Sequence, residues 1–208
     1  MANHIAIEGN IGAGKTSLAS VLAERLNARL VLEQFADNTF LPKFYKDPER
    51  YAFPLELSFL AERYKQILEF ATTPDLFQQT IVSDYLFIKS KLFARINLED
   101  AEYDLFSQVY RVMDLNIRPP DVLLFLHAPV GILQAHIRQR GRSYEQEIQD
   151  AYLEKVAAMY ENHLTQLEIP VIIIDTSTFH FQDKKALESL LVLLRSPLQP
   201  RRYYLGSI

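Results

Sequence analysis

The 208 residues carry 22 basic and 26 acidic side chains for a net charge of −4, are 49% hydrophobic and contain no cysteine. The acidic balance without a basic run argues against a nucleic-acid partner, and the missing cysteines exclude disulfides, thiolate metal sites and cysteine nucleophiles. No apolar stretch approaches the roughly 20 residues of a membrane-spanning helix, and residues 1–8 are too short and acidic for a secretory leader, so a soluble cytoplasmic protein with no membrane partner is expected.

The first element is the strand-like run His4-Ile5-Ala6-Ile7-Glu8. It feeds directly into Gly9-Asn10-Ile11-Gly12-Ala13-Gly14-Lys15-Thr16, and an amphipathic helix near 15–27 follows. The spacing Gly, four residues, Gly-Lys-Thr between a strand and a helix is the phosphate-binding-loop pattern in the context that makes it specific. Glycines let backbone N–H groups turn inward as an anion nest, and the helix N-terminus adds its dipole. Lys15 can reach the terminal phosphates, and the Thr16 hydroxyl is a natural Mg²⁺ ligand. The expected nucleotide contacts are Gly9, Asn10, Gly12, Ala13, Gly14, Lys15, Thr16 and Ser17.

Strand-like runs recur at 29–33, 80–84, 122–127 and 171–175. Helical periodicity falls near 50–70, 86–96, 99–117, 129–139, 148–167 and 183–194. This alternation predicts an α/β fold, a five-stranded parallel sheet with helices on both faces. The runs at 122–127 and 171–174 are almost wholly apolar, as central strands covered on both sides are. Ile148, Tyr152, Val156, Tyr160 and Leu164 recur at steps of four and mark one face of a helix. Residues from Ser196 onward, with Pro197, Pro200 and Arg201-Arg202, read as an irregular tail. No linker or repeat interrupts the chain, so one domain over 1–208 is expected.

In sheets of this kind ligands lie beyond the carboxyl ends of the strands. Glu33 ends the second strand, where a carboxylate can take a proton from an attacking hydroxyl; the alternative is a solvated loop acid. Asp84 ends the third strand and is placed either to hold Mg²⁺ opposite Thr16 or to cap the helix that begins near Leu86. Glu56 and Arg63 share one side of the 50–70 helix, with Phe59 and Leu60 between them. They stand roughly 10 Å apart along the axis, too far for a simple pair. Either they hold a polar ligand or one reaches solvent along the apolar stripe. His136, Arg138, Arg140 and Arg142 gather around Gly141, either as a lid over phosphates or as cations at a helix C-terminus that the glycine caps.

Together with the run from Phe44 to Phe53 and the triplet Arg140-Gly141-Arg142, these residues resemble the deoxyribonucleoside kinases, the bacterial deoxyguanosine/deoxyadenosine branch in particular. The resemblance covers about residues 4–181. It implies a P-loop kinase fold with an arginine lid, ATP and Mg²⁺ as cofactors, a nucleoside acceptor, and a homodimer through the helices near 86–96 and 99–117. It implies Glu33 as general base on the 5′-hydroxyl, Tyr45 and Glu145 on the 3′-hydroxyl, and Glu56 with Arg63 on the base edge. Lys15, Arg140 and Arg142 would neutralise the transferred phosphoryl, and Phe181, or else Phe179, would pack near the adenine of ATP.

Three departures stand out. The acidic-Arg-Ser triplet of many relatives reads Asp84-Tyr85-Leu86 here, so Arg63, Lys89 or a lid arginine must replace the missing arginine. His136 occupies the position of the first lid arginine. Glu56 stands where glutamine is frequent, and an ionised carboxylate only accepts hydrogen bonds. Guanine offers N1–H and N2–H₂ side by side, whereas adenine would set the N1 lone pair against it. Deoxyguanosine is therefore the expected acceptor. The rivals are a deoxyadenosine or broad-range kinase, a nucleoside monophosphate kinase, which would need more cations in the acceptor pocket, and a non-catalytic nucleotide switch, which has no use for a base-reading pair.

Overall fold

A computed structural model of the chain describes residues 2–34, 38–72, 80–115 and 117–206. In chain order the elements are β1 (His4–Gly9), α1 (Lys15–Leu26), β2 (Arg29–Val31), α2 (Leu41–Lys46), α3 (Pro48–Thr72), β3 (Ile81–Ser83), α4 (Lys89–Asn97) and α5 (Asp100–Asp114). Then come β4 (Val122–His127), α6 (Val130–Arg140), a 3₁₀ turn at Ser143–Glu145, α7 (Asp150–Leu164), β5 (Val171–Asp175), α8 (Lys184–Arg195) and β6 (Arg202–Leu205). The strands form one parallel sheet in the order β2-β3-β1-β4-β5-β6.

The sheet has six strands, not the five expected. The segment read as an irregular tail supplies the sixth, with Arg202, Tyr203, Tyr204 and Leu205 in register with Val171, Ile172, Ile173 and Ile174. An edge strand of four residues needs only one apolar face and tolerates charge and nearby proline, so two arginines after Pro200 hid it. Helix α2 was also unforeseen. Pro42 sits in its first turn, where the missing N–H is no loss; six residues are too few to show a period.

Alternation along the strands sorts the core into two faces. Ile5 and Ile7 of β1 pack with Leu18 and Leu22 of α1 and with Leu187 and Leu190 of α8. Ala6, between them, faces the opposite side with Val156, Tyr160 and Leu164 of α7. A third cluster, including Leu55, Leu60, Phe87, Phe106 and Tyr110, joins α3, α4 and α5. That outer layer carries α3 past the carboxyl ends of β2 and β3 and leaves a cleft between α3 and the loop after β1.

Candidate active site

The loop after β1 owes its shape to close packing. A Cβ on Gly9 would lie 2.6 Å from the Leu126 carbonyl oxygen, and one on Gly12 would lie 2.8 Å from that of Leu133, at a φ of +83°. Neither position admits a side chain without backbone movement. Gly14, also left-handed, opens α1, so the helix N-terminus faces the cleft. The Lys15 ammonium donates to the Gly9 and Asn10 carbonyls at 2.9 Å each. Burial and the neighbouring Lys89 charge pull it down to about 8.

A cavity of about 1080 Å³ extends from this loop, walled by Ile11 to Ser17 at one end and by Glu33, Tyr45, Glu56, Arg63 and Lys89 at the other. Gly9 and Asn10, expected as nucleotide contacts, stand behind this wall. Asn10 uses both ends of its amide on the protein, accepting from the Ile11 N–H and donating to the Leu153 carbonyl. Its side chain fastens the loop to α7. Phe181 lies against the loop, its ring 3.9 Å from the place of a Gly14 Cβ, while Phe179 is mostly committed to the core; both touch the cavity.

Asp84 ties three elements together. Its Oδ2 accepts from the Thr16 hydroxyl and its Oδ1 from the Glu33 backbone N–H, both at 2.6 Å. It does not serve as the cap of the following helix, which begins at Lys89. A hydroxyl and a carboxylate at this separation, beside a phosphate loop, are the hard oxygen donors that Mg²⁺ takes together with water and phosphate oxygens, so the residues fit that ion.

Glu33 receives two cations. Arg63 donates to its Oε1 from Nε at 2.8 Å and from a terminal nitrogen at 2.5 Å, and Lys89 donates to Oε2 at 2.5 Å. Burial alone would raise this carboxyl, but the charges and hydrogen bonds of Lys89 and Arg63 outweigh it and hold the group well below the usual carboxylate range. Arg63 spends a third nitrogen on the Ser90 hydroxyl at 2.7 Å. Of the cations considered in place of the arginine absent after Asp84, Arg63 and Lys89 are the ones that contact Glu33 among the described residues. Tyr85, at the vacated position, is buried, and its hydroxyl has no partner among the described residues.

Glu56 and Arg63 are both buried, at 2% and 3% exposure, so neither reaches solvent. They do not pair with each other. Glu56 Oε1 accepts from Asn97 Nδ2 at 2.7 Å, and Oε2 has no partner among the described residues. Burial pushes the Glu56 carboxyl up to about 7. Tyr45 borders the same end and stacks on Tyr144 at 6.1 Å between ring centres; burial raises its phenol above the ordinary range.

At the lid, Glu145 accepts from Arg140 at 2.5 Å and from Arg142 at 3.2 Å. The carboxylate expected on a sugar hydroxyl and the arginines expected on a phosphoryl group thus hold one another. His136 donates from Nδ1 to the Gly12 carbonyl at 2.8 Å, which fastens α6 to the loop. Gly141 caps α6 in a left-handed conformation, so the capping role weighed for it holds, and the lid arginines sit around that cap.

Glu8 was not anticipated as a site residue. It is 1% exposed and accepts from the Leu86 N–H at 2.8 Å, the Tyr160 hydroxyl at 2.8 Å and the Gly9 N–H at 3.3 Å. It joins the start of the phosphate loop to the turn after β3 and to α7. An acid closing an otherwise apolar strand was the available signal, as was a tyrosine on the apolar face of α7. Asn97 left no such trace in the sequence.

Residues 5–193 match the family described as deoxynucleoside kinase. A deoxyguanosine kinase of Bacillus subtilis is 33% identical over 185 residues, covering 85% of this chain and 88% of its own. A deoxyadenosine kinase of Dictyostelium discoideum is 32% identical over 180 residues, covering 85% of this chain and 73% of its own. Among solved structures, a deoxyadenosine kinase from M. mycoides with dCMP and dCDP superposes with a TM-score of 0.81 at 23% identity, over 93% of this chain and all of the other. The chain belongs to the deoxynucleoside kinase family.

Glu8 yields a test of the loop's support. Replacing it by glutamine turns an NH₂ group toward hydrogen-bond donors and leaves buried partners unmatched, at about 1–3 kcal/mol. Urea denaturation of Glu8→Gln should show that loss, and Tyr160→Phe a smaller one. An unchanged midpoint in Glu8→Gln would remove the carboxylate as an anchor.

Proposed function

We propose that this deoxynucleoside kinase transfers the γ-phosphoryl group of Mg·ATP to the 5′-hydroxyl of a purine deoxyribonucleoside, deoxyguanosine in preference to deoxyadenosine, for nucleotide salvage. The observation that carries the reading is the buried Glu56 carboxyl, whose Oε2 has no partner among the described residues and which lines the cavity at the end away from the phosphate loop. A group that costly to bury has use for a ligand that donates to it. As a carboxylate it matches the paired N1–H and N2–H₂ donors of guanine.

The donor triphosphate takes the loop, with the N–H groups of residues 12–17 and Lys15 around its phosphates. Thr16 and Asp84 would hold Mg²⁺, which would supply neutralisation of phosphate charge. Glu33 orients the 5′-hydroxyl. A carboxylate clasped by Arg63 and Lys89 is a weak base in the ground state. Phosphoryl transfer passes through a loose transition state in which alignment and charge outweigh early deprotonation, so Glu33 can take the proton late, as bond formation acidifies the oxygen. Lys89 and Arg63 then lie beside the developing charge. Arg140 and Arg142, released from Glu145, turn to the transferred group, and Glu145 with Tyr45 becomes available to the 3′-hydroxyl.

The acceptor end of the cavity favours a neutral nucleoside over a nucleotide, because its two cations are already engaged by Glu33. Leu105, Val112 and Leu115 leave an apolar stripe exposed on α5 and just beyond it, which supports a homodimer through α4 and α5. Sedimentation velocity should then give about twice the 24.1 kDa of one chain; a monomer at micromolar concentration would exclude it.

Two variants test the site. Glu33→Gln should lower kcat by about 10²–10⁴-fold while ATP binding, followed by calorimetry, is nearly unchanged; near-normal turnover would remove Glu33 from the chemistry. Steady-state phosphorylation of the four natural deoxynucleosides should rank deoxyguanosine first, and Glu56→Gln should move relative kcat/KM toward deoxyadenosine. An unchanged ratio in that variant would overturn the guanine reading.

A further inference from the structure

The base-facing end of the cavity contains a hydrogen-bond relay that phosphoryl transfer does not use. The Tyr152 hydroxyl donates to Asn97 Oδ1 at 3.2 Å, and Asn97 Nδ2 donates to Glu56 Oε1 at 2.7 Å. The three residues come from α7, α4 and α3, so the relay is held from three sides. The Asn97 amide presents its NH₂ to Glu56 and its oxygen to the Tyr152 hydroxyl, an orientation that the acceptor-only carboxylate selects and that the hydroxyl, donor or acceptor at need, completes. Glu56 Oε1 is therefore an acceptor whether the carboxyl is ionised or neutral. A proton carried by Glu56 sits on Oε2, the oxygen without a partner among the described residues.

We infer that Asn97 is a specificity-determining residue that makes Glu56 a reader of both purines, of guanine as a carboxylate and of adenine as a carboxylic acid. This rests on the purine reading above and deepens it. As a carboxylate, Oε2 accepts from guanine N2–H₂ while the second lone pair of Oε1 remains open to N1–H, with the base set one edge position along from that of adenine. As an acid, Oε2–H donates to adenine N1 while Oε1 accepts from the N6 amine. The acid form thus reproduces the one-donor, one-acceptor edge of a glutamine. The proton comes from and returns to solvent, and no covalent bond to the nucleoside changes.

The surroundings keep both forms within reach of neutral pH. Glu56 faces Arg63 on its own helix, Lys89 and Asn97 from α4, Glu33 beyond β2 and Tyr152 from α7, with Tyr45 of α2 in the same cavity. Burial favours the neutral acid, the Asn97 hydrogen bond and the two cations favour the carboxylate, and Glu33 reinforces burial. Because Arg63 and Lys89 are both clasped by Glu33, their pull on Glu56 is partly cancelled. The carboxyl is left near 7.

The test is kcat/KM for deoxyguanosine and deoxyadenosine in direct competition between pH 6 and pH 8, where neither base titrates. The ratio cancels every pH effect that the two acceptors share. The ionised-to-neutral ratio of Glu56 changes tenfold per pH unit, so guanine preference should rise by about a hundredfold across this range where Glu56 alone sets it. Glu56→Gln should give a ratio independent of pH and shifted to deoxyadenosine. Asn97→Asp sets a second carboxylate against Oε1 and should move the rise to higher pH. A pH-independent ratio in the wild-type enzyme overturns the inference, and if Glu56→Gln still shifts preference the purine reading survives it. Failure to phosphorylate either purine nucleoside at any pH overturns both.

Discussion

The cavity is organised around one largely enclosed carboxylate clasped by two cations. Glu33 lies just beyond β2, Arg63 projects from the middle of α3 and Lys89 opens α4, so their hydrogen bonds pin an outer helical layer to the carboxyl end of the sheet. Each charge would be costly to bury alone, and removing one partner from such a cluster typically costs about 3–5 kcal/mol because a charge is left uncompensated. The same arrangement keeps Glu33 ionised, and in the proposed transfer it would set positive charge beside the acceptor oxygen.

Charge is handled differently toward the donor side. Lys15 rests on the carbonyls of its own loop, and Arg140 and Arg142 rest on Glu145. These contacts satisfy the cations locally, and a triphosphate offers each a stronger partner. Glu33, Arg63 and Lys89 form a fixed framework, whereas Lys15, Arg140 and Arg142 hold contacts that ligand oxygens can replace. Between the arginines the difference follows from burial. Arg63 is almost wholly enclosed, while Arg140 keeps about a third of its side chain in contact with solvent.

How legible each part was in the sequence follows from how local its cause is. The phosphate loop, β1, β4 and β5 were readable because a glycine pattern and unbroken apolar runs are properties of adjacent residues. The Glu56–Arg63 spacing correctly flagged two buried charges on one helix, but their partners could not be read. Arg63 meets Glu33, 30 positions upstream, and Glu56 meets Asn97, 41 positions downstream. Tyr152 and Tyr160 were correctly placed on the inner face of α7, yet periodicity treats a tyrosine as apolar and is silent about where its hydroxyl goes. One phenol supports Asn97 and the other supports Glu8. Strand β6 was lost because its register comes from β5 rather than from its own composition.

The departure at Tyr85 connects these observations. No arginine follows Asp84, and Arg63 uses three of its nitrogens on Glu33 and Ser90. An arginine so engaged has only its remaining N–H groups for a base edge. In the purine reading proposed above, discrimination then falls on Glu56 and on its Oε2, which has no partner among the described residues. On that reading, catalytic charge and base recognition, separable in principle, are coupled through one guanidinium. Substitution of the loop residue would act on both, because an arginine at position 85 would compete for Glu33 and free Arg63 toward the nucleoside. The bulk and burial of Tyr85 make that a repacking problem as well as an electrostatic one, so the coupling is built into the core beneath the site as much as into the site itself.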